Sequence, residues 1–174
     1  MWFGTEAGLA KFDGRRTQTI AISGLPPGRI LALESDQAGA LWIGTETGAA
    51  RMVWGRFDVI RETAGQAVTA IIAPEHDRVL MTTEQGNVFE SRVQADGSLQ
   101  TTSLLTQPLQ SADREHVGPL ALTSLLLVDD KLYVGSISRG VLAIADGMAR
   151  EIETHPTVYF ARHAIRDCQH SAAD

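Results

Sequence analysis

MWFGTEAGLA at residues 1–10 returns as LWIGTETGAA at residues 41–50, and this repetition decides the fold. Trp2 and Trp42 stand 40 residues apart, as do Gly4 and Gly44. A fixed period of roughly 20–50 residues is the sequence signature of repeat architectures such as solenoids and propellers. The chain is therefore predicted to repeat one small structural unit.

Two weaker copies of the phrase follow. Residues 80–86 read LMTTEQG, and residues 132–140 read LYVGSISRG, with one residue inserted before the final glycine. The interval between these two copies is the longest, and residues 104–118 account for most of the excess. That segment is polar and contains a proline, which predicts a loop. The 174 residues thus hold four copies of the unit.

Each unit is typical of four short strands, as the second copy illustrates. Residues 29–34 form an apolar run typical of a buried strand, and residues 40–45 form a second strand with an aromatic residue. Tight turns at Gly48 and Gly55 separate two further strands, at residues 49–54 and 56–61. Four strands in about 40 residues describe one propeller blade.

We therefore predict an all-β protein, a β-propeller of about four four-stranded blades in one domain over residues 1–174. The predicted blades are residues 1–23 plus 157–166, 24–63, 66–105 and 119–153, followed by a tail at 167–174.

Residues 24–48 carry a family resemblance. They run from Gly-Leu-Pro through Asp36 to the end of the second phrase, and they resemble the two-component-regulator propeller repeat. That repeat forms blades in the sensor regions of bacterial hybrid histidine kinases and related signalling proteins. The resemblance implies a non-enzymatic module for ligand sensing or protein interaction, with a periplasmic location.

Two other functions stay open at this point. The blades of the streptogramin B lyase family are similar, so a propeller lyase or hydrolase is the enzymatic alternative. A structural or assembly unit, or a fragment of a larger propeller, is the other.

The ends of the chain bear on how the ring closes. Trp2 already lies in the second strand of its unit, so the first strand of that blade is missing at the N-terminus. Residues 157–165 have the β-branched and aromatic content of a strand and would supply it, which would remove an exposed sheet edge. The alternatives are a ring completed by a second chain, as a homo-oligomer, and a piece of a longer parent sensor chain.

Composition excludes several classes of partner. The formal net charge is -6, so neither nucleic acid nor an anionic membrane surface is an expected partner. No apolar run approaches the roughly 20 residues of a membrane span, so no membrane insertion is expected. The single cysteine, Cys168, excludes an internal disulfide, and no signal peptide precedes the strand at Trp2. The compartment is thus left open by composition.

The candidate ligand site lies in the turns between second and third strands. Glu6, Glu46 and Glu84 occupy the same position in three copies, and the fourth copy places Arg139 in its turn. Ligands of propellers usually bind on the face that carries these turns. We predict that the four side chains border a channel mouth that takes an unknown small ligand or protein partner. The alternative interpretation is that they are only exposed residues beside a required glycine.

The aromatic positions of the phrase are predicted to pack rather than to bind. Trp2, Trp42 and Tyr133 recur at one position, with Leu80 in the third copy. Large rings at that position would fill the wedge between adjacent blades.

Histidine and cysteine residues give no strong chemical signal. His163, Cys168 and His170 lie close together, but no second pair stands at a recognised metal-ligand spacing. His116 beside Glu115 is an acid/base candidate in a loop with no nucleophile assigned to it. We therefore predict no catalytic residue, no metal site and no cofactor.

Overall fold

The computed structural model describes residues 1–6, 8–20, 23–110 and 118–152. Within those ranges the chain forms fifteen strands and one 3-10 turn, arranged as four antiparallel sheets in chain order. The predicted all-β propeller with four blades is confirmed. Three of the sheets have four strands and the first has three.

The strands of the four blades have the following bounds. Blade 1 contains β1 (Trp2–Thr5), β2 (Gly8–Phe12) and β3 (Thr17–Thr19). Blade 2 contains β4 (Ile30–Ser35), β5 (Leu41–Thr45), β6 (Gly48–Val53) and β7 (Arg56–Ile60), and the 3-10 turn Arg61–Thr63 follows it. Blade 3 contains β8 (Val68–Glu75), β9 (Arg78–Thr83), β10 (Val88–Val93) and β11 (Leu99–Ser103). Blade 4 contains β12 (Leu122–Val128), β13 (Lys131–Ser136), β14 (Gly140–Ala145) and β15 (Met148–Glu151).

Each four-stranded blade is a simple meander, and the blades contact one another in chain order. The first strands form the contacts: β4 lies against β8 and β8 against β12, while β1 lies against β4. Among the described residues, no comparably extensive contact joins blade 1 to blade 4. In blade 1 the strands correspond to the second, third and fourth of the other blades. The segment 157–165, predicted to supply its first strand, lies outside the described residues.

The core consists of three apolar clusters between neighbouring blades. The cluster between blades 1 and 2 centres on Leu9 and Ile43, and the one between blades 2 and 3 on Trp42 and Met81. The third, between blades 3 and 4, includes Leu80 and eight other buried residues. Because both faces of the inner strands are covered, β5 is buried along its whole length. Trp42 and Leu80 thus lie in the packing between blades, and Trp2 packs against the first of these clusters.

The repeated glycine of the phrase has a steric reason. A Cβ added to Gly4 would lie 2.5 Å from the Cγ2 atom of Ile30, and one added to Gly44 would lie 2.7 Å from the carbonyl oxygen of Val68. In both cases the obstacle belongs to the first strand of the next blade. The glycine therefore recurs because it lets two blades approach closely.

Candidate functional site

The turns between second and third strands all lie on one face of the propeller. In blade 2 the Glu46 N–H donates to the carbonyl oxygen of Arg29 at 3.2 Å, just before the first strand begins. The corresponding bonds in blades 3 and 4 run from Glu84 to Ala67 (3.0 Å) and from Ile137 to Ala121 (3.1 Å). We call this the upper face, defined by the turns at residues 6, 46–47, 84–87 and 137–139. The opposite, lower face carries the remaining hairpin turns.

A repeated hydroxyl contact shapes these upper turns. The Thr45 hydroxyl donates to the carbonyl oxygen of Gly48 at 3.0 Å, across the turn. Thr5 makes the same bond to Gly8 at 2.8 Å in blade 1. The threonine and the final glycine of the Gly-Thr-Glu-x-Gly phrase make this hydrogen bond. It holds each glutamate at the tip of its hairpin.

Arg29 is the direct partner of Glu46, one of the three predicted glutamates. Its Nε donates to Glu46 Oε1 at 2.7 Å, and its backbone N–H donates to Glu46 Oε2 at 3.0 Å. The pKa of Arg29 is raised, first by the hydrogen bond to Glu46 and then by the negative charges of Glu46, Glu6 and Glu84. Glu46 is therefore the direct partner of Arg29, and Glu6 and Glu84 act on its pKa only through their charge.

Glu46 is held more firmly than a surface carboxylate usually is. The N–H and the guanidinium of Arg29 hold the pKa of Glu46 below its ordinary value, with the backbone hydrogen bond as the larger cause. Gly28 has a positive φ of 108°, and a Cβ there would lie 2.9 Å from Glu46. The Thr47 hydroxyl also donates to the carbonyl oxygen of Pro27 at 2.6 Å. Glu46 is therefore ionised and fixed in position, whereas Glu6 and Glu84 are exposed.

Arg139 lies in the corresponding turn of blade 4, but its side chain points elsewhere. Its Nε donates to Glu151 Oε1 at 2.7 Å, which ties it to the outer strand β15. It is therefore not among the charged groups gathered around Arg29 by the other three turns.

Arg29 was not predicted as a site residue from the sequence, although the sequence contains a signal for it. Arg29 directly precedes the first strand of blade 2, and first strands begin on the face where second strands end. Any polar residue at that position must lie beside the glutamate turn. The equivalent residues of blades 3 and 4 are Ala67 and Ala121, so blade 2 alone among these three has a cation there.

An apolar cavity of about 370 Å³ opens beside these turns on blade 2. We call it the blade 2 cavity. Its walls come from the loop before β4, the tip of the β5–β6 turn and the end of β7, and they include Leu25, Pro26, Gly48, Val59, Ile60 and Ala64. Nothing in the sequence pattern indicated it, because its walls come from three separate segments.

The remaining candidates can be placed only in part. In the described ranges no three His, Cys, Asp or Glu side chains are grouped as metal ligands would be. None of the helical segments in those ranges is long and apolar enough to cross a membrane. The acid/base candidate His116 with Glu115 and the Cys- and His-containing tail lie outside the described residues.

Comparisons with known proteins agree on the type of repeat. The family model described as "Two component regulator propeller" matches residues 24–47, which confirms the resemblance found in the second copy of the unit. No match was found among curated protein sequences.

Two solved structures of one bacterial protein share the fold. Both are of the extracellular domain of BT4673 from B. thetaiotaomicron, described as a hybrid two-component system in one and a one-component system in the other. The TM-scores are 0.65 and 0.64, at 18% sequence identity, over 89% and 88% of this chain. The chain spans about a fifth of the length of these structures, 21% in each case.

Proposed function

We propose that this chain is a non-enzymatic β-propeller module for sensing or interaction, and that its upper face is the binding surface. One observation carries the proposal: the upper turns of three successive blades place Glu6, Glu46 and Glu84 on one face, where Glu46 is paired with Arg29 at 2.7 Å. The propeller repeat at residues 24–47 and the fold shared with an extracellular domain of a signalling protein support it. A rigid array of blades would present these turn residues to a ligand without moving them.

The charge balance of this surface indicates the chemistry of its ligand. Glu46 is paired with the guanidinium of Arg29, and the charges of Glu6 and Glu84 add to the raised pKa of Arg29. The exposed carboxylates of Glu6 and Glu84 leave the surface with an excess of negative charge. Charge-assisted hydrogen bonds to carboxylates favour ammonium and guanidinium groups. The ligand in this proposal is therefore cationic, either a small amine or a basic segment of a partner protein, with Arg139 at the edge of the surface.

The same proposal covers where the chain acts and how ligand binding is transmitted. The extracellular origin of the BT4673 domain supports a site of action outside the cytoplasm, in the periplasm or beyond it. Since the chain spans about a fifth of that structure, the binding event would be transmitted through a longer parent chain or a partner subunit.

Thermal denaturation with probes of different charge tests the ligand chemistry. Spermidine and arginine serve as cationic probes, maltose as a neutral probe and citrate as an anionic one. The cationic probes are expected to raise the Tm of the wild-type chain, because binding to the folded state alone stabilises it. The Glu6→Gln/Glu84→Gln double variant should lose this shift.

A matched control keeps the result specific. Asp129→Asn removes one negative charge from a turn on the lower face, and asparagine tolerates the positive φ of 47° found there. This variant should keep the full wild-type shift. Equal shifts in the wild-type chain and the double variant would show that the upper-face carboxylates are not the binding site.

A further inference from the structure

In blades 1 to 3 the aromatic position of the repeated phrase faces the blade that follows. Trp2, Trp42 and Leu80 belong in turn to the clusters between blades 1 and 2, between blades 2 and 3, and between blades 3 and 4. Side chains alternate along a strand, so the glycine position two residues later lies on the same face. At Gly44 an added Cβ would meet Val68, the first residue of β8. This pair of positions is therefore where the first strand of the next blade makes contact.

Blade 4 has the same pair of positions, on the face turned away from blade 3. Leu132 and Val134 on β13 pack towards blade 3, so alternation turns Tyr133 and Gly135 to the opposite face. We call this the blade 4 face. The strand itself does not need a glycine there, because blade 3 has Thr82 at the same position of β9. A glycine in the interior of a strand often marks the close approach of another backbone, and Gly135 is therefore evidence for a strand on this face.

Apolar side chains surround the two positions. Leu126 lies directly opposite Tyr133 on β12, and Val141 lies opposite Gly135 on β14. Val128 follows Leu126 on the same face. Leu126 is 41% exposed and Val128 is 45% exposed, although both belong to the innermost strand of the blade. The blade 4 face is thus an apolar surface that the neighbouring sheet does not cover, and apolar groups gain free energy when they leave water.

The stretch of chain that follows β15 has the composition and the position of such a strand. Residues 158–161 read VYFA, an apolar run of the kind that forms a strand covered on both faces. Six positions separate Glu151, the end of β15, from Thr157, and eight separate Ile60 from Val68 at the junction of blades 2 and 3. Six extended residues reach about 20 Å. That exceeds the roughly 14 Å between the outermost and innermost strands of a four-stranded sheet, so the connection is long enough.

We propose that residues 157–165 dock on the blade 4 face as a first strand, with their backbone passing over Gly135 and their side chains against Tyr133 and Leu126. The contact repeats the one that β8 makes with blade 2 at Gly44. A short connection to β15 gives this segment a high effective concentration at the face, which favours it over a second copy of the chain. The contact is independent of what pairs with the free edge of β1.

Hydrogen exchange of the whole 174-residue chain, followed by mass spectrometry, tests the proposal. Peptides that cover residues 157–165 should exchange at least about 100-fold more slowly than an unstructured peptide of the same sequence. Gly135→Val should remove at least about tenfold of this protection, because its side chain takes the space of the docked backbone. Tyr133→Ala, which deletes the ring without adding bulk, should lower the protection as well. Unchanged exchange in β5 and β9 would show that blades 2 and 3 of these variants are intact.

A matched control lies in the same blade. Ile137→Asp replaces an exposed apolar residue, 63% accessible, in an upper-face turn rather than on the blade 4 face, and it should leave the exchange of residues 157–165 unchanged. Exchange of these residues at the rate of an unstructured peptide would overturn the proposal. Protection that survives both Gly135→Val and Tyr133→Ala would overturn it equally.

Sedimentation velocity over a range of protein concentrations distinguishes the occupants of the face. The wild-type chain should keep its single-chain mass of 18.8 kDa, and the protection of residues 157–165 should not depend on concentration. A mass that rises with concentration and returns to 18.8 kDa in Gly135→Val would show that a second copy covers the blade 4 face, against the proposal.

Discussion

Blades 2 and 3 have the same four-stranded meander, yet different side chains hold them together. In blade 2 the buried carboxylate of Asp36 accepts hydrogen bonds from the Ala40 N–H at 2.8 Å and from Trp42 Nε1 at 2.9 Å. Trp42 is fully buried, and the guanidinium of Arg51, its neighbour on β6, lies 5.6 Å from the centre of the ring. Of these residues only Trp42 belongs to the repeated phrase, while Asp36 precedes it and Arg51 follows it.

Blade 3 packs against its next blade without residues equivalent to Asp36, Trp42 and Arg51. Its first hairpin is tighter, with a turn at residues 76–77, and Leu80 takes the place of Trp42 in a purely apolar cluster. Across the sheet from Leu80, Glu90 accepts hydrogen bonds from Arg78 at 2.5 Å and from Arg92 at 2.9 Å. An ion network therefore stands where blade 2 has a cation over an aromatic ring.

The glycine position shows the same exchange. In blade 3, Thr82 replaces the glycine of the phrase. Here a hydrogen bond joins the first strands of blades 3 and 4: the Thr69 hydroxyl donates to the carbonyl oxygen of Leu122 at 2.6 Å. What the two blades share is the hydrogen bond from the glutamate N–H to the residue before the first strand. Blades can therefore pack with or without the side chains of the repeated phrase. The strand order and the turn geometry are what the two blades have in common.

The largest effect is expected at Gly44, where blade 2 depends on close approach. Gly44→Val should cost about 3 kcal/mol or more of unfolding free energy, because the new side chain meets the Val68 carbonyl. Gly39→Ala is the matched control: its φ is +82° but no atom lies within 4 Å of the new Cβ. That variant should lose only about 1–2 kcal/mol. Urea denaturation gives both values, and equal losses would contradict the steric account.

Converting blade 2 to the chemistry of blade 3 should have an intermediate effect. Trp42→Leu removes buried ring volume and leaves the carboxylate of Asp36 without its indole donor, at an expected cost of about 3 kcal/mol. A double-mutant cycle with Asp36→Asn isolates the hydrogen bond. Asp36→Asn should cost less in the Trp42→Leu background than in the wild-type chain, and strictly additive losses would show that the two residues are not coupled.

The smallest effect, a pH dependence, is expected at Glu34. Glu34 stands opposite Trp42 on β4, where blade 3 has Ile72 opposite Leu80. Burial raises the pKa of Glu34, and a hydrogen bond from the Ala73 backbone partly offsets this. The folded state therefore holds the proton more tightly than the unfolded state, so this contribution to stability is present at low pH and declines as pH rises through the carboxyl range.

Glu34→Gln removes that dependence. The variant should become more stable relative to the wild-type chain as pH rises, by less than about 1 kcal/mol because the side chain is only half-buried. Chemical denaturation at a series of pH values measures it. A difference that stays flat or shrinks with rising pH would contradict the assignment to Glu34.

Much of the fold was readable from the sequence. The recurrence of the phrase predicted four blades, including the third, which keeps the threonine, glutamate and final glycine of the turn but not the aromatic residue or the first glycine. The position of Glu6, Glu46 and Glu84 also predicted that they share a face, because strand alternation leaves no other place for those turns. The side-chain partners were not predictable: Arg29 pairs with Glu46 from 17 residues away, and Arg139 pairs with Glu151.

The four-stranded blade could be predicted from the sequence, because turn glycines and apolar runs are local features that recur at the same spacing in each copy. The tertiary contacts set the pairing of Arg29 with Glu46 and of Arg139 with Glu151, and they build the blade 2 cavity from separate segments. The physical reason is that strand formation depends on neighbouring residues, whereas a surface is assembled from turns of several blades. The packing between blades sets the positions of those turns, and residues far apart in the sequence contribute to that packing together.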